Sequence, residues 1–207
     1  NVFKELCEEY GIELVERDAP DPTGEAGVTG AQQFILEDVP LVMEEYAGKN
    51  VAFFSTNCSM QESLQMSILE DQAAYYPLPC CPSPFHGFPA SLGIEANEDD
   101  YNDIDGFISR CAEQLAVYDA VGRFSTWAVP FNMSMIYGGY EYAVAYINGE
   151  TDGKVDADKL AECLSNAAGS NASLSLYEDA DGRVYDNFFF ILFDNLNFGD
   201  YLEGEGA

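Results

Sequence analysis

Apolar residues recur at helical spacing from the start of the chain, at Phe3, Leu6, Cys7 and Tyr10, and stop at Gly11; this predicts a helix over 3–10. Ile12–Val15 then reads as a short strand, and Asp18-Ala-Pro-Asp-Pro-Thr-Gly-Glu-Ala-Gly as a loop over 18–27. Ala31, Phe34, Ile35, Val39, Val42, Met43 and Tyr46 mark one face of a second helix, ended by Gly48. Pro40 is expected to kink that helix or to restart it with Asp38 as cap. Strands at Val51–Phe54 and Ala74–Leu78 flank a helix at Gln61–Glu70. The alternation β, α, β, α, β predicts an α/β fold: a Rossmann-like parallel sheet with helices on both faces.

The alternation continues through an amphipathic helix at Asp103–Val117 (Ile104, Phe107, Ile108, Cys111, Leu115) and a short strand at Arg123–Val129. A helix at Met133–Ile147 follows, with an expected apolar face of Ile136, Tyr140, Val144 and Ile147. Asp156 can cap a helix reaching Ala168, and Ser173–Tyr177 and Val184–Phe193 read as two strands joined by an Asp181-Gly182 turn. The expected units are a Rossmann-like lobe over 1–120, a crossover strand and helix over 121–150, a returning helix and strand pair over 151–201, and a mobile tail over 202–207.

Composition narrows the function. Of 207 residues 47% are hydrophobic, enough for a substantial core. The longest apolar string, Phe188–Phe193, has the length of a buried strand and falls far short of the ~18 residues of a membrane span. Asn1 enters directly on an amphipathic pattern, so the expectation is a chain that begins inside a longer protein. A net charge of −29, from 8 Lys+Arg against 37 Asp+Glu, argues against nucleic-acid binding and fits a solvated acidic surface. Of the six cysteines, Cys7, Cys111 and Cys163 lie on apolar helical stripes and are expected in the core.

The chemistry concentrates at two strand ends, where an open α/β sheet places its ligand. Ser55, Thr56 and Asn57 follow the first strand and, with the amides of the next helix's N-terminus, could hydrogen-bond a neutral polar ligand or cradle a small anion, or simply cap that helix. Cys80, Cys81, Ser83, Phe85, His86 and Phe88 follow the second, on a proline-stiffened loop. That loop admits a metal site from Cys58, Cys80, Cys81 and His86, a thiolate nucleophile at Cys80 or Cys81 with His86 as base, or a rigid ligand wall with Phe85 and Phe88 as aromatic lip. The metal reading lacks paired C-x₂-C spacing, and the nucleophile reading lacks a visible orienting group. Arg123, Ser125 and Trp127 form a candidate clamp for a carboxylate, phosphate or planar ring; a surface ion pair and a core tryptophan are the alternative. Asp21/Thr23/Glu25 and Asp152/Asp156/Asp158 lack calcium-loop spacing, and G-x-G-x-x-G, Walker, G-x-S-x-G and H-E-x-x-H strings are absent.

The strings PDPTGEAGVTGAQQFILEDVP (20–40), VAFFSTNCSMQE (51–62), CCPSPFHGFPASLGI (80–94) and GRFSTWAVPFNM (122–133) resemble an uncharacterised bacterial lipoprotein-like family similar to type I periplasmic-binding proteins. The resemblance implies that this chain is the C-terminal part of a two-lobe protein. It also implies a solute-binding role without catalysis or cofactor: an extracytoplasmic protein, tethered by a lipid anchor in a missing N-terminal region, that captures a small polar molecule. Its partners would be that ligand and a membrane transporter or sensor, not nucleic acid. A Cys/His-dependent enzyme and the effector-binding domain of a cytoplasmic regulator stand as alternatives.

Overall fold

The computed structural model describes residues 2–202, so the expected tail, apart from Leu202, lies outside the described residues. Seven α-helices and four strands follow in the order α1 (Val2–Glu9), α2 (Gly27–Glu45), β1 (Val51–Ala52), α3 (Gln61–Leu69), β2 (Ala74–Tyr75), α4 (Phe88–Leu92), α5 (Ile104–Val117), α6 (Phe131–Asn148), α7 (Ala157–Ala168), β3 (Ala172–Glu178) and β4 (Val184–Phe193). The fold is α/β, with a parallel sheet and packed helices, as the alternation predicts; this is consistent with a two-lobe architecture of the type I periplasmic-binding-protein kind.

The parallel sheet is narrow. β1 pairs with β2 through Val51↔Ala74 and Ala52↔Tyr75, and Tyr76 bridges in parallel to Phe124. Its ladder runs slightly past the assigned strands, with Phe53 N–H donating to Tyr75 O at 2.8 Å and Tyr76 N–H to Arg123 O at 2.8 Å. The expected strand at Arg123–Val129 is therefore a single bridge. Ile12–Val15 forms no strand: Ile12 is 60% exposed and the segment has no neighbouring strand among the described residues.

Helix α2 runs unbroken through Pro40, and Asp38 caps nothing; its carboxylate instead pairs with Arg17. Proline removes one N–H and presses on the carbonyl four residues earlier. Both Pro40 and Leu36 lie on the exposed side, where water can take up that carbonyl, while Ala31, Ile35, Val39, Val42 and Met43 stay buried opposite.

Two cores result. The larger gathers α2, α3, α5 and the strands around Tyr76, Phe88, Phe107, Ile108, Cys111 and Leu115, all fully buried, and takes in Leu196 and Phe198 from the end of the chain and Leu202 at its edge. The smaller joins Leu164, Ala168, Ala172 and Phe193 with Trp127, Met135, Leu160, Leu174 and Ile191. Cys7, Cys111 and Cys163 are buried, as their stripes require. β3 and β4 form the expected antiparallel hairpin, with an irregularity after Leu176 where the pairing jumps from Phe189 to Tyr185.

Helix α6 corrects the sequence reading. Its expected apolar face is exposed, Ile136 and Tyr140 at 68% and Ile147 at 81%, while Ser134, Gly138 and Ala145 are buried. The small residues let α6 approach α7 closely: a Cβ on Gly138 would stand 2.7 Å from Leu164 Cδ2.

Candidate functional site

The loops that follow β1 and β2 meet the start of α2 around a hollow of about 330 Å³. Val28 and Gln32 come from α2, Cys58, Ser59 and Glu62 from the turn and helix after β1, and Phe85, His86, Gly87, Pro89 and Ala90 from the loop after β2 and the start of α4. Asn57 caps the 3₁₀ turn Cys58–Met60, its side chain accepting from Ser59 N–H at 3.0 Å and from the Ser59 hydroxyl at 2.8 Å. Gln32 then donates to Ser59 O at 3.0 Å and ties the turn to α2.

Two buried amides on α3 hold the loop after β2 and the start of α4 in place. Gln61, oriented so that both amide atoms are paired, donates to His86 O and accepts from Cys81 N–H, each at 3.2 Å. Gln65 accepts from the Ser91 hydroxyl at 2.8 Å, and its amide passes so close to Gly87 that a Cβ there would meet Oε1 at 2.7 Å. Gly87 also has φ +83°, so both space and backbone require glycine. The loop is thus held from α3 without a charge. Sequence reading missed Gln61 and Gln65; the available signal was two amides one helical turn apart, on the same stripe as Leu64 and Ile68.

Of the residues expected to bind a ligand, His86 lines the hollow. Ser55 shares a 2.8 Å hydrogen bond with the phenol of fully buried Tyr76, whose pKa burial pushes up to about 12. Asn57 is a cap, Thr56 is exposed, and Ser83 is a buried turn residue whose hydroxyl accepts from Phe85 N–H at 3.1 Å.

The clamp does not form. Arg123 is 6% exposed and spends its guanidinium on backbone carbonyls, those of Ile68 at 2.6 Å, Asp71 at 2.8 Å and Ala74 at 3.0 Å, with longer bonds to Leu69, Tyr118 and Asp119. It closes the C-terminal ends of α3 and α5, where orphan carbonyls and the helix dipoles favour a cation. Burial lowers its pKa from the usual arginine value. Ser125 donates to Leu196 O at 2.8 Å, and Trp127 packs edge-on against Phe193 in the smaller core, 5.0 Å between centroids. None of the three lines the hollow.

The aromatic lip is half present. Phe88 is fully buried, and Phe85 lies between Tyr101 and Phe107, at 4.4 and 4.3 Å, with both ring faces covered. Phe85 offers a ligand only its edge. The thiols group differently from the metal reading: no cluster of three or more His, Cys, Asp or Glu suited to a metal occurs among the described residues. Cys80 and Cys81 stand with sulfurs 3.9 Å apart, and desolvation, followed by the neighbouring Cys80 and Cys58, pushes the Cys81 thiol up to about 12. A thiol so protonated at neutral pH is a poor nucleophile.

Residues 1–125 match the family described as protein of unknown function, DUF3798. The chain belongs to that family. Every residue around the hollow falls within the matched part of this DUF3798 chain, whereas Trp127 and the smaller core fall beyond it. No curated protein matches the chain. Among solved structures, it is similar to a crystal structure of a candidate transcriptional regulator from Clostridium difficile 630, at 19% identity and a TM-score of 0.79. That likeness covers 94% of this chain and 53% of the other, so the chain spans about half that protein's length. At this identity it bears on the fold alone.

Proposed function

We propose that this DUF3798 chain contributes one wall of a binding cleft for a small, uncharged polar solute, in a larger extracytoplasmic solute-binding protein that performs no chemistry on its ligand. The observation that carries this reading is the hollow beyond β1 and β2. It combines amide, hydroxyl and imidazole groups with the apolar surfaces of Val28, Phe85 and Pro89, and Glu62 supplies its negative charge without a lysine or arginine among its lining residues. Such a lining orients a polar molecule by hydrogen bonds and repels an anion, the more so in a chain of net charge −29.

Thermal unfolding of the full-length protein against nucleosides, sugars, amino acids and small anions tests it. A bound solute at about 100 times its Kd adds roughly 2.7 kcal/mol. The expected result is a raised midpoint with one class of neutral solutes, abolished by Ser59→Tyr, which fills the hollow. Stabilisation by anions alone, or by none of the panel, sinks the proposal.

The description of the solved neighbour favours a second reading, an effector-binding domain of a regulator. The complete reading frame separates the two: a signal peptide and lipobox support the first, and a basic DNA-binding module supports the second.

A further inference from the structure

We propose that Cys80 and Cys81 form a reversible redox-modification site: a disulfide between adjacent residues that closes under mild oxidation and reshapes the wall of the neighbouring hollow. This goes beyond solute binding and does not depend on it.

Three observations carry the inference. The two sulfurs already lie 3.9 Å apart, and Cys80 is exposed, so an oxidant can reach the pair from solvent. The pair is bracketed by prolines as Pro79-Cys80-Cys81-Pro82, with Pro84 beyond. Proline fixes its own φ and confines the residue before it to extended backbone, so few conformations are surrendered when the ring closes. Finally, the other three cysteines outside this neighbourhood, Cys7, Cys111 and Cys163, are buried in packing, which leaves the oxidisable thiols concentrated at one strand-end cluster with Cys58 alongside.

Adjacent Cα atoms are about 3.8 Å apart, below the ~4.4–6.8 Å usual for disulfides. The bond is therefore strained and easily reduced, which is the property of labile, regulatory disulfides rather than structural ones. In the oxidation the exposed Cys80 sulfur attacks hydrogen peroxide and becomes a sulfenic acid with release of one water, and the Cys81 sulfur, held 3.9 Å away, then displaces the hydroxyl as a second water while giving up its proton, so that the S–S bond forms. Closing the ring moves Cys81, whose N–H is held by Gln61, and the same amide holds His86 O in the wall of the hollow. Oxidation is thereby passed to the hollow through one side chain.

Peptide mass mapping of the full chain, treated with stoichiometric hydrogen peroxide and then alkylated, tests the site. The expected product is a peptide containing Cys80 and Cys81 that is lighter by two hydrogens, unalkylated at both, and restored by dithiothreitol. Cys58→Ser keeps this product, whereas Cys80→Ser and Cys81→Ser lose it. His86 and Trp127 are each the single residue of their type, so proton NMR supplies a second readout: the His86 ring signals shift on oxidation and the Trp127 indole signal stays in place. A Cys58–Cys81 cross-link, dimers joined through Cys80, or sulfinic acid at Cys80 without a disulfide overturns the proposal, as does a closed Cys80–Cys81 bond that leaves His86 unmoved.

Discussion

Helices α5 and α6 carry equally plausible apolar faces in sequence, yet the fold treats them oppositely. On α5 the expected face is completely buried at Phe107, Ile108, Cys111 and Leu115, and Asp103 caps the helix through Gly106 N–H. On α6 the expected face looks outward, and the helix seats on α7 through Ser134, Gly138 and Ala145. The hairpin beside it is similar: Phe188 and Phe190 on β4 are each 59% exposed. The comparison teaches that periodicity identifies side chains able to be buried, whereas the closest approach of a neighbour selects the face that is. Small residues that admit a second helix outweigh larger ones that merely repeat.

The largest effect expected from this difference is a contrast in stability. Leu115→Ala opens a cavity in a fully buried site and should cost about 2–5 kcal/mol, while Ile147→Ala should stay within about 0.5 kcal/mol; urea unfolding midpoints measure both. A large loss for Ile147→Ala would mean that the outer face of α6 is covered in solution.

A second contrast lies within α6. Gly138→Val forces a branched side chain against Leu164 and should cost about 1–3 kcal/mol by overpacking. Gly139 has open space where its Cβ would go, so Gly139→Ala should be neutral or stabilising by up to about 1 kcal/mol. Trp127 fluorescence, which reports the smaller core, follows both variants. Equal destabilisation by the two would remove close approach as the reason for the buried face.

The smallest effect is in acid. Asp156 caps α7 and is held below the usual carboxylate range by the backbone N–H groups of Asp152 and Lys159; Asp100 in the larger region is held down by Asn97 N–H, then by Arg110. Because both folded-state values are depressed, their stabilisation is complete above the ordinary carboxylate pKa, about 4, and fades as pH falls through the lowered values. Asp156→Asn should flatten the acid limb of the Trp127 transition, and Asp100→Asn should leave that limb in place.

Much of the fold was legible because it rests on local signals. Helix ends at Gly11 and Gly48, the cap at Asp156 and the Asp-Gly hairpin turn all act within a few residues, and the structure keeps each of them. Pairing is different. Ile12–Val15 has strand composition but no partner strand among the described residues, and whether a partner exists is decided by distant chain.

The candidate site divides along the same line. Strand-end logic pointed to the loops after β1 and β2, which do border the hollow, and to His86 within it. It could not foresee that Arg123 would be consumed by carbonyls contributed from residues 68–74 and 118–119, because backbone acceptors have no sequence signature. Nor could it place Gln61 and Gln65, whose partners lie on the loop after β2 and on α4, 20 or more positions away.

The return of Leu196 beside Thr126 has a topological consequence. Leu196 N–H donates to Thr126 O at 2.7 Å and Leu196 O accepts from Ser125 at 2.8 Å, and from there Phe198 rejoins the larger core. The chain therefore comes back to the place it left some seventy residues earlier. In the language of gene architecture, α6, α7 and the hairpin are an insertion with adjoining ends, and a turn of a few residues between Ser125 and Leu196 spans the junction. Excised in this way, the larger unit is expected to fold as one continuous polypeptide with the strand-end loops, their thiols and the hollow intact, and a single cooperative urea transition of the shortened chain checks it.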